Sequence, residues 1–257
     1  MVYYTELAAR RGCEIRKLLL FPMATPLMFR FFRARRRLNF TALTVGTFAT
    51  LLGAGQLSSA PERPGLLFRE DWKETPAATP VTQEHVANPE LLVTRYGPGE
   101  AQIKKSHHDK PADDPYYIWS GDAERNWAIS LRHKTAFIDL SGQARIRWRA
   151  KQTGFRQLRI ILKLADGQGI VSDQFDDESA DWRVREFIIA DLRWRTFDPV
   201  KVTEGKWAPN PDVTRVDEIG WSDLMNGGGT PASSRLDWIE VYARAAPRAG
   251  ATVTPRP

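Results

Sequence analysis

Cysteine is nearly absent from this chain, and its absence narrows the kinds of domain that the chain can form. The only cysteine among the 257 residues is Cys13, which lies in the N-terminal segment. The rest of the chain can therefore form no disulfide and no thiolate metal site, and it offers no cysteine for a lipid anchor. A domain of about 180 residues is large enough to bury a core without such crosslinks.

A basic excess is also missing from most of the chain, although the formal net charge is +6. Residues 1–60 contain nine Lys and Arg against two Asp and Glu, whereas residues 61–257 contain 28 against 29. Nucleic-acid binding needs a net basic surface on the folded domain itself. The distribution therefore argues against a nucleic-acid partner.

Signatures of the common catalytic families are missing as well. The sequence contains no H-E-x-x-H motif, no P-loop and no dinucleotide fingerprint. The segment Gly220-Trp221-Ser222-Asp223-Leu224 lacks the second glycine of a nucleophile elbow. The sequence leaves open whether the chain is an enzyme, and it favours a non-catalytic protein.

The first 60 residues do contain an arrangement typical of an export signal. Five arginines between Arg30 and Arg37 precede an uncharged segment at 40–57, and small residues follow at 58–60. This order predicts a signal peptide over residues 1–60 and a secreted or periplasmic, bacterial-type protein. The alternative is an uncleaved signal anchor over residues 40–57, which would attach the protein to a membrane.

The rest of the chain alternates apolar and polar residues with a period of two, and no segment has three turns of helical periodicity. Ile146 and Trp148 alternate with basic residues, as do Leu158 and Ile160, and the Gly154 linker between the two segments predicts a hairpin. Many such short segments predict an all-β antiparallel β-sandwich, or jelly roll, over residues 61–244. A disordered tail is predicted at 245–257, where Pro, Arg, Ala and Thr show no periodicity.

Short motifs in the second half of the chain follow a recognisable order. Asp139-Leu140-Ser141-Gly142 precedes a strand with Trp148, Ile219-Gly220 comes later, and Leu236-Asp237-Trp238-Ile239-Glu240-Val241-Tyr242 closes the domain. Over about residues 127–243 this order resembles the galactose-binding-like jelly-roll superfamily. The similarity is to family 11 carbohydrate-binding modules and to the complex I assembly-factor domain. The resemblance implies a jelly-roll fold and a carbohydrate ligand.

A ladder of cations is the first candidate for a ligand site. If the predicted hairpin forms, its outward side chains share one sheet face and line a groove; they are Arg145, Arg147, Arg149, Arg159 and Lys163. Arginine forks are suited to carboxylates, so this face would bind an acidic polysaccharide. The alternative is a solvated or self-neutralised charged face.

The tryptophans are the second candidate, because an indole can stack on the apolar face of a sugar ring. All nine lie beyond residue 61. Trp194 and Trp207 stand among polar residues, which predicts that these two are exposed platforms. The alternative is that they pack in the core, as most large side chains of a sandwich do.

An acidic loop follows the second strand of the predicted hairpin. Asp173, Asp176 and Asp177 are predicted to lie at the rim of the groove. Their carboxylates are also candidate ligands of a structural calcium ion, although the spacing matches no EF-hand. No other cofactor is expected.

Together these features predict an exported, non-catalytic carbohydrate-binding protein. Two alternatives stay open at this point. One is a glycan-cleaving or glycan-modifying enzyme on the same fold, and the other is an assembly factor that binds another protein.

Overall fold

The computed structural model describes residues 62–226 and 231–248. The predicted leader at 1–60, with its alternative of an anchor at 40–57, lies outside the described residues. Within the described ranges, no helix is long and apolar enough to cross a membrane.

The alternating segments form strands, as the period-two pattern predicts. The described residues contain three short 3-10 helices at Gln83–His85, Glu100–Gln102 and Ile189–Asp191. They also contain fifteen strands: β1 (Leu66–Glu70), β2 (Leu91–Tyr96), β3 (Lys104–Ser106), β4 (Tyr117–Trp119), β5 (Ala128–His133), β6 (Ala136–Asp139), β7 (Arg145–Gln152), β8 (Leu158–Leu164), β9 (Gly169–Asp176), β10 (Arg183–Ile188), β11 (Trp194–Asp198), β12 (Thr203–Trp207), β13 (Val216–Ser222), β14 (Ser234–Tyr242) and β15 (Arg244–Pro247).

These strands form two antiparallel sheets. Sheet I has the order β10-β7-β14-β4-β3, and β1 also pairs with β14. Sheet II has the order β12-β11-β9-β8-β13-β5-β2, and β6 joins β15 to β13. The predicted all-β antiparallel sandwich is confirmed.

The core lies between the two sheets and is built from the inward residues of both. Residues predicted to be buried are at most 1% exposed; they are Ile146, Trp148, Leu158, Ile160, Leu162 and Ile239. Burial of each large apolar side chain stabilises the fold by about 1.5–3 kcal/mol. The indole Nε1 of Trp148 donates to Asp176 Oδ2 at 3.0 Å, so this buried polar atom is paired.

The predicted hairpin between the segments of β7 and β8 is wrong. β7 pairs with β10 and β14 in sheet I, whereas β8 pairs with β9 and β13 in sheet II. The linker that contains Gly154 therefore passes from one sheet to the other. Alternation is the same in both arrangements, because it reports which face of a strand is buried and not which strand lies beside it.

The sandwich also extends beyond the predicted boundary at residue 244. Residues 244–247 form β15, which pairs with β6, so the prediction of disorder is wrong for 245–247. The next residue, Arg248, contacts Asp217 of β13, with 2.6 Å between Nη1 and Oδ1. The remainder of the predicted tail, from residue 249, lies outside the described residues.

Candidate functional site

The predicted cation ladder does not share one face. Arg145, Arg147 and Arg149 lie on the outer face of sheet I, and Arg159 and Lys163 lie on the outer face of sheet II. The core of the sandwich separates the two groups. The structure therefore does not form the predicted groove, because the strands that carry these cations belong to different sheets.

The arginines on sheet I are paired with acids and aromatic rings of the same face. Arg147 lies between Glu186 and Glu240, with nitrogen to oxygen distances of 3.6 and 3.5 Å. Arg145 lies over the ring of Tyr242, with Cζ 3.9 Å from the ring centroid. These arginines point away from the core, but only 21% to 36% of each side chain is exposed. This geometry matches the self-neutralised alternative.

Asp237 shows how tightly this face is packed. Its Oδ2 accepts a hydrogen bond from Arg149 Nη1 at 2.8 Å, and 9% of its side chain is exposed. Burial raises the pKa of Asp237 to about 6, and the hydrogen bond from Arg149 opposes that shift without cancelling it. The hydrogen bond from Arg149 thus offsets only part of the desolvation free energy of burying the Asp237 carboxylate.

On sheet II, Lys163 belongs to a hydrogen-bonded network centred on the buried Glu218. Lys163 Nζ donates to Glu218 Oε1 at 2.9 Å, and the hydroxyls of Tyr96 and Ser130 donate to Oε2. The hydrogen bond with Glu218 raises the pKa of Lys163, while burial and the same carboxylate raise the pKa of Tyr96 to about 12. At neutral pH the ammonium is charged and committed to Glu218.

A strap at residues 199–202 covers this part of sheet II. Its Val202 is fully buried and packs with Ala128, Ile161 and Phe197 in a second apolar cluster on the outer face. The carbonyl of Val202 also accepts a hydrogen bond from Asn126 Nδ2 at 2.8 Å.

The space left beneath the strap, beside Lys163 and Glu218, is about 20 Å³, close to the volume of one water. Arg159, on the same face, contacts Glu204 at 2.8 Å. The strap and these ion pairs leave no room for a sugar between Lys163 and Glu218.

The predicted acidic loop is wrong for two of its three residues, because Asp173 and Asp176 lie in β9 and only Asp177 follows it. With no groove formed, none of them lies at a rim, and their carboxylates contact arginines. Asp176 is fully buried and accepts from Trp148 and Arg183, and Asp177 also pairs with Arg183. Asp173 accepts from Arg193, so each of the three carboxylates is paired with an arginine, and Asp176 and Asp177 share Arg183. Among the described residues, no group of three His, Cys, Asp or Glu side chains is placed to hold a metal ion. Calcium at this loop stays a prediction.

Of the two tryptophans proposed as platforms, only Trp207 is exposed. Trp194 is 4% exposed and belongs to the core, so the prediction that it is a platform is wrong. Its neighbours Arg193 and Arg195 point to the opposite side of the strand, as alternation requires. Trp207, at the end of β12, is 47% exposed.

Trp207 forms one wall of an open cleft of about 590 Å³ at one end of the sandwich. The β6–β7 turn provides Ser141 and Gly142, and the loop after β12 provides residues 208–211 and Val213. Arg193 and Arg195 hold their guanidinium carbons 4.8 and 4.3 Å from the centroid of the Trp207 ring. With these two cations over its ring, the Trp207 residue as a whole is 47% exposed.

The chemistry of the cleft follows from its composition. Its fourteen lining residues all lie within the described ranges, and none of them is an Asp or Glu. Arg193 has 75% of its side chain exposed and supplies a positive charge at the mouth. An apolar cleft with one exposed indole and a few convergent polar groups is suited to a ring that has an apolar face and hydroxyl edges.

Comparisons by sequence give no relative, because no family model and no curated protein matches the chain. Among solved structures, the chain is similar to a family 11 carbohydrate-binding module from Clostridium thermocellum in complex with a β-1,3-1,4-mixed-linked tetrasaccharide. The identity is 12% and the TM-score 0.39, over 68% of this chain and 99% of that chain.

A second similar structure is the family 11 module of cellulosomal cellulase Lic26A-Cel5E of Clostridium thermocellum, at 12% identity and a TM-score of 0.40, over 67% and 97% of the two chains. An exo-β-agarase is similar at 7% identity and a TM-score of 0.36, over 64% of this chain and 24% of that chain. At such values the likeness does not decide the ligand. The resemblance to the complex I assembly-factor domain stays a prediction.

Proposed function

We propose that the protein is an exported, non-catalytic carbohydrate-binding protein whose ligand lies in the cleft beside Trp207. The observation that carries the proposal is the exposed indole of Trp207 at the wall of an open cleft of about 590 Å³. A pocket of this size matches the range of small-ligand sites in proteins. Trp207 was also one of the platforms that the sequence predicts.

Binding without catalysis is favoured by the residues of the cleft. Hydrolysis of a glycoside commonly needs two carboxylates that flank the scissile bond. The described lining of the cleft contains no carboxylate, whereas it presents Arg193 and the amide of Asn210 as hydrogen-bonding groups. These groups can hold sugar hydroxyls but cannot supply the acid and the nucleophile or base.

The charge of the cleft supports a ligand that is neutral or acidic. Arg193 is bonded to Asp173 through Nε at 3.1 Å, and it keeps the rest of an exposed guanidinium group for a ligand. A uronate carboxylate could accept a forked pair of hydrogen bonds from this group. The sequence analysis predicted that the cation ladder would bind an acidic polysaccharide. Here Arg193 takes that role.

The experiment is a screen of the protein against neutral and acidic polysaccharides, with two variants in parallel. Trp207→Ala removes the proposed platform, and Phe155→Ala removes an aromatic side chain that is 58% exposed and lies outside the cleft. We expect the wild type and Phe155→Ala to bind the same glycans, and we expect Trp207→Ala to lose binding to these glycans. Added salt should weaken the binding of acidic glycans more than the binding of neutral ones. Equal binding by all three proteins would show that the glycan site is not at the Trp207 cleft.

A further inference from the structure

A second cavity adjoins the Trp207 cleft. Residues 209–211, with the sequence Pro-Asn-Pro, line both cavities, so they form a ridge between them. The second cavity has a volume of about 560 Å³ and lies next to Phe137 of β6. Asn210 has a left-handed backbone with φ of 47°, which turns the chain at the crest of the ridge.

The second cavity repeats the aromatic and cationic arrangement of the first. Arg215 and Arg248 hold their guanidinium carbons 4.7 and 4.2 Å from the centroid of the Phe137 ring. Arg248 is fixed by Asp217 and by the carbonyl of His133, whereas Arg215 is exposed. Each side of the ridge therefore presents one aromatic ring with two arginines over it, and one of these arginines faces solvent.

The two cavities differ in their acids. Asp166 and Asp212 line the second cavity, and each uses Oδ1 for a local hydrogen bond, with Gln168 N at 2.8 Å and Thr214 N at 3.0 Å. A carboxylate has capacity for further bonds, so both can accept from sugar hydroxyls. Hydrogen bonds from Thr214 lower the pKa of Asp212, which keeps this carboxylate ionised. Two such acids disfavour a ligand group that is itself an anion.

We propose that the cavity beside Phe137 is a second subsite, which binds an uncharged sugar unit of the same glycan chain that occupies the Trp207 cleft. The inference rests on the proposed function. It makes the ligand an oligosaccharide that crosses the ridge at residues 209–211. Its unit beside Trp207 can be acidic, and its unit beside Phe137 is neutral.

The test uses the protein and a series of oligosaccharides, from disaccharide to octasaccharide, of the polysaccharide that binds best in the screen. We expect affinity to rise by roughly tenfold once the oligosaccharide is long enough to cross the ridge, as one added stacked unit with its hydrogen bonds would give. Arg215→Ala should remove this gain and leave the affinity for short oligosaccharides unchanged. Arg244→Ala is the matched control, because Arg244 is exposed on β15 but lines neither cavity.

Phe137→Leu keeps most of the side-chain volume and provides a second variant that should also remove the gain. The subsite is overturned if the gain with length survives in both Arg215→Ala and Phe137→Leu, or if no gain occurs in the wild type. Appearance of shortened products would instead contradict the proposed non-catalytic function, and it is detected separately from the dependence of affinity on length. The affinity of Trp207→Ala for short oligosaccharides tests the first cleft separately, and we expect this binding to be lost. Failure of the subsite and failure of the proposed function are therefore distinguishable.

Discussion

Asp237 gives the sharpest test of the claim that the arginine face of sheet I is a structural network. Its pKa is about 6 in the folded protein, against a reference value of 3.8, because burial outweighs the hydrogen bond from Arg149. Between these values the folded state holds more protons than the unfolded state. The free energy of unfolding should therefore fall as the pH rises through this window. A difference of about two pKa units corresponds to about 3 kcal/mol.

Replacement by Asn removes the titration and keeps a side-chain oxygen for Arg149. In urea unfolding from about pH 4 to about pH 7, we expect the stability of Asp237→Asn relative to the wild type to rise by about 2 kcal/mol, because part of the full effect lies below pH 4. The control Asp181→Asn removes one negative charge from a side chain that is 85% exposed. A relative stability that stays flat, or that falls with pH, would refute the reasoning, because the ion pair would then outweigh the cost of burial.

Two further predictions concern the strap and the leader. Gly97→Ala should destabilise the protein by at least about 1 kcal/mol more than Gly167→Ala. Both glycines have φ near 90°, but a Cβ at Gly97 would lie 2.4 Å from Val202 Cγ2 and 2.7 Å from the carbonyl oxygen of Asn126, whereas a Cβ at Gly167 meets no atom within 4 Å. Equal losses in urea unfolding would contradict this close packing of Gly97 against Asn126 and the strap. N-terminal sequencing of the exported protein should begin between roughly residues 54 and 66, and full-length protein confined to the cytosol would contradict export.

The strands could be predicted from the sequence where alternation is regular. The alternating segments around Ile146 and Trp148 and around Leu158 and Ile160 were found as strands β7 and β8. Strand β12 was missed because all of its residues are exposed, and β11 because its two buried residues, Trp194 and Phe197, pack on opposite faces of the sheet. Regularity of the pattern therefore decides which strands a single sequence reveals.

The candidate site could be predicted only in part. Trp207 was identified, but Trp194 was assigned to the surface because its neighbours are polar, although Arg193 and Arg195 on a strand place the residue between them on the buried face. The ladder failed for a different reason. Alternation fixes the outer face of β7 and β8 but carries no information on which sheet each joins, and the partners Glu186, Glu240 and Glu218 come from distant segments.

The central claim, that glycan binds beside Trp207, is tested most directly by calorimetry with the best glycan from the screen. Loss of one stacked aromatic should cost on the order of 1–3 kcal/mol, so Trp207→Ala should weaken binding roughly ten- to hundredfold. Arg147→Ala, in the paired network of sheet I, should bind as the wild type does. Unchanged affinity in Trp207→Ala together with weakened binding in Arg147→Ala would contradict the account. It would indicate that the glycan binds at the arginines of sheet I.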